Sequence, residues 1–392
     1  MRGRALPGWL IALLGASFVL YTDDYVIAGV LPEIAADLRV SEAIAGQLVT
    51  VFSFTIAVAA PIAAIALARL PRRLLFMIAF IVFSIANALA ALTPSYEALV
   101  LLRVVSALAA ASATPSLFAF AASHAPEGRT GRYLAVVSLG VTGSITAGVP
   151  LGTWIGSAFG WRFTFAAMAV AGLAILVVLM LLLPRTARPD GHVGLVEQLR
   201  TLKRRAVVLG LLANCALMTG SMMMLTYLAS YLAAVSGAGP DERAFAFALS
   251  GAAGMAGIWL GGVATDRWGP DRTLLFGVAV IVAAMTGLWS IWLARPVPIP
   301  VVLAVATVWG GMAFWNSPAI QTRLYALAGP VAPQALALNT SGTYLGVSIG
   351  AAVGGIALAG SGVGSLPLLA AAFAICALLL LGGARTVAAR TA

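Results

Sequence analysis

Charged residues are scarce in this sequence. Only 9% of its 392 residues are Asp, Glu, Lys or Arg, whereas 61% are hydrophobic. A soluble domain normally carries about a quarter charged residues, because its surface faces water. The composition therefore excludes an ordinary soluble protein and indicates a surface that faces lipid.

Cysteine and histidine are also rare, with two residues of each type. Cys215, Cys376, His124 and His192 do not show the spacing of a metal site. The pattern G-x-x-x-x-G-K-[ST] is absent, which argues against ATP-driven pumping by this chain. The formal charge of +10 forms no basic stripe interleaved with aromatic residues. The sequence therefore predicts no metal, no cofactor, no nucleic-acid partner and no enzymatic site.

Apolar segments long enough to cross a bilayer recur along the chain. A crossing needs about 20 mainly apolar residues, and it must be helical because lipid offers the backbone no hydrogen-bond partner. The first segment exceeds the apolar region of a signal peptide and is predicted to be retained. The sequence predicts about twelve transmembrane helices, over residues 7–31, 43–67, 74–92, 98–121, 133–158, 163–184, 206–234, 244–265, 273–294, 299–321, 335–361 and 366–384.

Basic residues cluster on one side of this predicted topology. Eighteen of the 23 fall at one membrane side, Arg103 falls inside a span, and the other side holds Arg39, Arg162, Arg243 and Arg295. Because positive residues favour the cytoplasmic side, both termini are predicted to be cytoplasmic. The longest polar interval, 185–205, is predicted to be a cytoplasmic linker between two six-helix bundles, 1–184 and 206–392.

Two segments near the ends of the second and eighth predicted spans resemble each other. Ala64–Arg73 aligns with Gly262–Arg272 at an offset of 198 residues, close to half the chain. Such an offset is typical of transporters that are built from two related halves.

The second copy contains G-x-x-x-D-R-x-G, which resembles the signature loop of the major facilitator superfamily. The resemblance covers essentially the whole chain and implies two bundles around a central cavity, lined by the first and fourth helices of each half. It also implies that the acid pairs with an arginine and a helix end, latching the cytoplasmic side. The first copy has Ala68 in place of the acid, so the predicted latch residues lie in the second copy: Gly262, Asp266, Arg267 and Gly269.

Three further segments resemble the bacterial drug:proton antiporter branch of that family. Thr22–Leu38 is similar to the first helix and outer loop of its drug and sugar efflux members. Arg103 resembles the intramembrane arginine of the branch, although Ser106 and Ala107 replace the usual Gln-Gly pair. Gly148–Gly152 is similar to the Gly-Pro antiporter motif but has one extra residue. The members that the chain resembles most are chloramphenicol exporters and arabinose-efflux-like proteins.

Asp23, Asp24 and Arg103 are the ionisable residues that fall well inside the predicted spans. Each costs about 2.5–3.5 kcal/mol or more at the bilayer centre and therefore indicates function. Asp24 and Arg103 lie at similar depths, about 10 and 8 Å from the outer helix ends. We predict that Asp24, with Asp23 as the alternative, exchanges the coupling proton near Arg103. A static ion pair that only orients two helices is the other interpretation.

The predicted cavity lining combines aromatic, Met and Asn side chains, which suit a moderately hydrophobic molecule. The alternative is that these side chains serve helix packing or lipid contact. The predicted substrate-binding residues are Tyr21, Tyr25, Asn214, Met218, Tyr227, Trp315 and Asn316.

Together these features predict a monomeric, proton-coupled antiporter in a bacterial inner membrane. Its predicted substrate is a small lipophilic compound, which implies efflux and antibiotic resistance. Efflux of a sugar or metabolite is the alternative within transport. A non-transporting membrane receptor is the alternative of another class, but it needs a ligand domain that the sequence does not contain.

Overall fold

The computed structural model describes residues 6–67, 70–126, 130–184, 203–328 and 332–391, and over these residues it contains helices and no β-strand. Twelve helices, α1–α12, are long and apolar enough to cross a membrane, which confirms the predicted all-helical fold. Their bounds are Gly8–Asp37 (α1), Gln47–Ala66 (α2), Arg72–Leu92 (α3), Tyr96–Ser123 (α4), Thr130–Gly143 continued by Val149–Phe159 (α5), Trp161–Leu182 (α6), Arg205–Thr226 (α7), Pro240–Trp268 (α8), Pro270–Leu293 (α9), Ile299–Ala328 (α10), Ala332–Gly360 (α11) and Leu366–Thr391 (α12).

Short helices also adjoin these spans within the described residues, including Glu42–Ala45 before α2, Leu228–Ser236 after α7 and Val363–Ser365 before α12. The two parts of α5 are joined by a π-helical turn, Ser144–Gly148. This turn immediately precedes Val149, where the sequence has one residue more than the Gly-Pro motif. A π-helical turn holds more residues than an α-helical one, so it can accommodate the addition.

Helix α1 is longer than the sequence predicted. It passes through Pro32 and ends at Asp37 rather than near Leu31, since long membrane helices tolerate an internal proline. Asp24 consequently lies 13 residues, or about 20 Å, before the helix end. The acid is therefore near the middle of the helix and deeper than predicted.

Helices α1–α6 and α7–α12 repeat one packing scheme. Within the N-terminal half, α1 packs on α5 and α6, α4 packs on α2 and α3, and α3 packs on α6. Within the C-terminal half, α7 packs on α11 and α12, α10 packs on α8 and α9, and α9 packs on α12. Each contact recurs six helices later, as the sequence repeat predicted. The linker prediction falls mainly on 185–202, which lie outside the described residues.

The two halves meet along α2 with α11 and along α5 with α8. At the second crossing Gly251 of α8 faces the backbone of α5, and a Cβ there would lie 2.6 Å from the Thr146 nitrogen. At the first crossing, the Ser348 hydroxyl donates to the Thr50 carbonyl at 3.1 Å. Small and hydroxyl side chains thus bring the halves into close contact.

The end of the bundle where α1 ends and α2 begins lies opposite the end where α1 begins, and we name it the opposite face. There Arg243 of α8 donates to Glu33 of α1 at 2.6 Å and joins the halves. Tyr227, at the end of α7, packs against Gly46 and donates to the Ala351 carbonyl at 2.8 Å. The other end, where α1 begins and α12 ends, is the terminal face.

Candidate functional site between the two halves

A buried ion pair joins α1 to α4. The Asp23 carboxylate accepts a hydrogen bond from Arg103 at 2.8 Å, and the two side chains are 0% and 1% exposed. The guanidinium also lies 3.9 Å from the centre of the Phe52 ring on α2, a cation–π contact. Burying two charges costs free energy that only good geometry and further contacts offset. The sequence predicted that α1 and α4 bring an acid and Arg103 together, and the ion-paired acid is Asp23.

Asp24 points to a different side of α1, because successive residues are about 100° apart on a helix. It is 2% exposed, and neither carboxylate oxygen has a hydrogen-bond partner of normal geometry among the described residues. An uncompensated buried charge costs several kcal/mol. A carboxyl group in this position is therefore a candidate for binding and releasing a proton.

A small void lies beside Asp24 at the junction of the halves. Its volume is about 10 Å³, which is near the minimum for a single water molecule. Tyr25 of α1, Met222 of α7 and Val347 of α11 also line it. Side chains of both halves therefore surround the acid.

A much larger cavity of about 460 Å³ lies between the halves on the side of the terminal face. This size is within the range of small-molecule sites. The lining contains no charged side chain among the described residues. It combines six polar and six apolar residues: Tyr21, Thr114, Ser138, Gln321, Thr340 and Ser341, with Ala60, Pro61, Pro115, Phe118, Leu134 and Leu338.

Two tyrosines lie near Asp24. Tyr21 lines the cavity and lies one turn before Asp24 on α1. Tyr344 of α11 is buried and lies close to both Tyr21 and Asp24. Tyr344 is not among the predicted site residues, although Thr340, Ser341, Thr343 and Tyr344 form a run of hydroxyl groups within a predicted span.

Packing of α5 on α1 sets the position of the acids. Gly148 lies against Thr22, and a Cβ at this glycine would overlap the threonine side chain. The glycine of the motif that resembles the antiporter signature therefore lets α5 approach α1 one residue before Asp23.

Comparison with known proteins decides the family. A family model described as Major Facilitator Superfamily matches residues 13–332. This chain belongs to the Major Facilitator Superfamily. It is therefore a multi-pass membrane transporter of small molecules and not an enzyme, and the receptor interpretation is set aside.

Curated relatives match nearly the whole transporter. It is 33% identical over 349 residues to the "Uncharacterized MFS-type transporter YbcL" of Bacillus subtilis, covering 89% of this chain and 88% of the relative. It is 33% identical over 356 residues to the "Chloramphenicol resistance protein" of Streptomyces lividans, covering 89% and 87%. It is 31% identical over 378 residues to the "Inner membrane transport protein YdhP" of Escherichia coli K12, covering 95% and 94%.

Solved structures share the fold at low sequence identity. The structure of a mutant of the peptide transporter POT has a TM-score of 0.80 at 12% identity, covering 98% of this chain and 96% of the other. A D-xylose-proton symporter structure has a TM-score of 0.78 at 18% identity, covering 95% and 96%. These similarities confirm the architecture alone.

The predicted substrate-binding residues of the transporter separate into two groups. Tyr21 lines the large cavity and Tyr25 lines the small void. Asn214 of α7 instead donates to the Thr343 hydroxyl of α11 at 2.9 Å, and Met218 packs beside Gly346. The first group adjoins the space between the halves, whereas the second holds α7 to α11.

The remaining three substrate predictions lie in packing contacts. Tyr227 is fully buried at the opposite face. Trp315 donates to the Thr273 carbonyl at 3.1 Å, and Asn316 donates to the Met312 carbonyl at 3.2 Å. These contacts agree with the alternative of helix packing, so we leave the three residues out of the proposed substrate site.

The predicted latch pair is not formed in this conformation. Asp266 and Arg267 are exposed at the end of α8 and have no ion pair among the described residues. A Cβ at Gly262 would meet no other atom within 4 Å among the described residues, and Gly269 adopts a φ of +79°, which favours glycine at this helix end. The ion pair at this corner joins Asp271 to Arg323 at 3.2 Å. A latching role for Asp266 remains a prediction.

Proposed function

We propose that this transporter is a proton-coupled antiporter that exports a small, moderately apolar compound across a bacterial inner membrane. The observation that carries the proposal is the position of Asp24. It is a buried carboxyl group whose oxygens have no hydrogen bond of normal geometry among the described residues, and it lies next to a buried ion pair and one helical turn from Tyr21, which lines the cavity of about 460 Å³. A proton site and a small-molecule site this close can influence each other's occupancy.

The distribution of basic residues supports a cytoplasmic terminal face. The large cavity then lies on the cytoplasmic side, and the Glu33–Arg243 ion pair closes the external side. This is the arrangement in which an exporter loads its substrate. We propose that a monomer works by rocking of the halves, 1–184 and 206–392, joined by the linker 185–205.

The cavity lining supports a neutral or lipophilic substrate, since half of the described lining residues are apolar and none of them is charged. The chloramphenicol resistance relative makes chloramphenicol the first compound to test. A sugar or metabolite is the second candidate, because Thr114, Ser138 and Gln321 offer hydrogen bonds within the same cavity.

The test uses everted membrane vesicles and compares uptake of labelled chloramphenicol and a labelled sugar, with and without a proton gradient. We expect gradient-driven uptake by the wild type, because each 100 mV supplies about 2.3 kcal/mol per charge. Asp24→Asn should reduce this uptake to background while the amount of folded protein is unchanged. Asp37→Asn is the matched control, since Asp37 ends the same helix in a half-exposed ion pair with Arg162.

Three results would count against the proposal. Undiminished uptake by Asp24→Asn would remove the role of this acid. Uptake that survives collapse of the gradient would exclude proton coupling. Uptake of the sugar alone would replace the apolar substrate with the second candidate.

A further inference from the structure

One side chain of α11 belongs to the hydrophobic core of the other half. Tyr344 is 5% exposed and packs in a cluster whose other buried members are residues between Leu10 and Leu183. Its neighbour Thr343 instead accepts the hydrogen bond from Asn214 of α7. Two consecutive residues thus tie α11 to different halves of the transporter.

Tyr344 lies at the acid that the proposed function uses. One turn further along α11, Val347 lines the same small void as Asp24, which places Tyr344 close enough to Asp24 for the two groups to affect each other electrostatically. The Asp24 oxygens have no hydrogen bond of normal geometry among the described residues. Among the described residues, the titratable and charged groups close enough to act on Asp24 are Asp23, Arg103, Tyr21, Tyr25 and Tyr344.

Four of these five groups belong to the same half as Asp24. Asp23, Tyr21 and Tyr25 share its helix, and Arg103 is already held by Asp23 and the Phe52 ring. Tyr344 is the group in this set that belongs to the C-terminal half. A phenol can donate to an ionised carboxylate or accept from a protonated one.

We propose that the Tyr344 hydroxyl is the hydrogen-bond partner that α11 offers to Asp24, making it a positioning residue through which the C-terminal half responds to protonation of the N-terminal half. The inference rests on the proposed proton-binding role of Asp24. This hydrogen bond stabilises the ionised carboxylate, so proton release is favoured while α11 is in contact with α1. When the halves separate at α11, Asp24 loses this partner.

The first test measures the pH profile of gradient-driven transport in Tyr344→Phe, which keeps the ring and removes the hydroxyl. A hydrogen bond to a charged group favours its ionised form. The pH of half-maximal transport should therefore rise by about one unit. A residue that only fills space would leave the midpoint unchanged, because phenylalanine has the same ring. The control is Tyr231→Phe, which removes a buried hydroxyl that donates to the Leu288 carbonyl and should not move the midpoint.

The second test separates this inference from the proposed function. The melting temperature of the purified protein is measured against pH for the wild type, Asp24→Asn and Tyr344→Phe. We expect a pH-dependent component that disappears in Asp24→Asn and whose midpoint moves in Tyr344→Phe. If transport lacks proton coupling but this shift occurs, the proposed function fails and the Asp24–Tyr344 pairing stands. If the component is absent, or if its midpoint is unchanged in Tyr344→Phe, the pairing is wrong.

Discussion

In the N-terminal half, α1 and α4 place Asp23, Asp24 and Arg103 inside the bundle. The corresponding helices of the C-terminal half, α7 and α10, place neutral groups such as Asn214 and Asn316 there. The two halves share one packing scheme, so the fold does not require the buried charges. Both halves therefore keep the same helix packing, whereas the buried ionisable residues of these four helices are concentrated in the N-terminal half.

The largest expected effect comes from breaking the Asp23–Arg103 ion pair, which distinguishes the N-terminal half from the C-terminal half. Arg103→Gln leaves Asp23 buried without its cation, so the free energy of unfolding should fall by about 3–5 kcal/mol. Thermal unfolding of the purified protein in detergent measures the loss. Removing the neutral Asn214–Thr343 bond by Asn214→Ala should cost about 1 kcal/mol.

A double variant sharpens this comparison. Asp23→Asn with Arg103→Gln removes both charges, so it should recover most of the lost stability although transport remains impaired. If the double variant is no more stable than Arg103→Gln alone, the buried pair does not account for the difference between the halves.

An intermediate effect is expected at the opposite face, where an ion pair joins the halves. Glu33→Gln removes the charge that faces Arg243, whose side chain is 8% exposed. The population with an open opposite face should rise by roughly tenfold, equivalent to about 1.4 kcal/mol. Distances between spin labels at the outer ends of α1 and α8 measure the change. Asp37→Asn, which breaks a pair within one half, should leave these distances unaltered.

The smallest effect is expected at the end of α8. Asp266 is exposed and has no ion pair among the described residues, so Asp266→Asn should change stability by less than about 0.5 kcal/mol. Asp271→Asn is the comparison at the same corner, since it removes the charge paired with Arg323. Reduced transport by Asp266→Asn at unchanged stability would indicate that the latch forms in another conformation. A large loss of stability would instead contradict the exposed position of Asp266.

The number of helices was predictable because the thickness of the bilayer sets a minimum length for every apolar span. The meeting of α1 with α4 was also predictable, since buried charges seek partners. The choice between Asp23 and Asp24 was not, because one residue of register rotates a side chain by about 100°. The predicted end of α1 near Leu31 was too early, because the helix continues through Pro32 to Asp37.

Side-chain direction is a second property that a sequence pattern does not predict. Tyr227 and Trp315 have the chemistry of a binding site, but their polar atoms donate to backbone carbonyls within the C-terminal half. Tyr344 was not among the predicted residues, because the core in which it packs belongs to the other half. A periodic pattern along one segment carries no information on which half a side chain contacts.

The contact of Gly251 with the α5 backbone has a mechanical consequence. Since no side chain of Gly251 stands between the two helices, the crossing can serve as a fulcrum, with α8 extending about 25 Å to its far end at Trp268. A tilt of about ten degrees at this point would displace that end by roughly 4 Å, by the same helix geometry. A small tilt at Gly251, where no side chain is present, would thus move the far end of α8 by a distance comparable to the width of a small molecule.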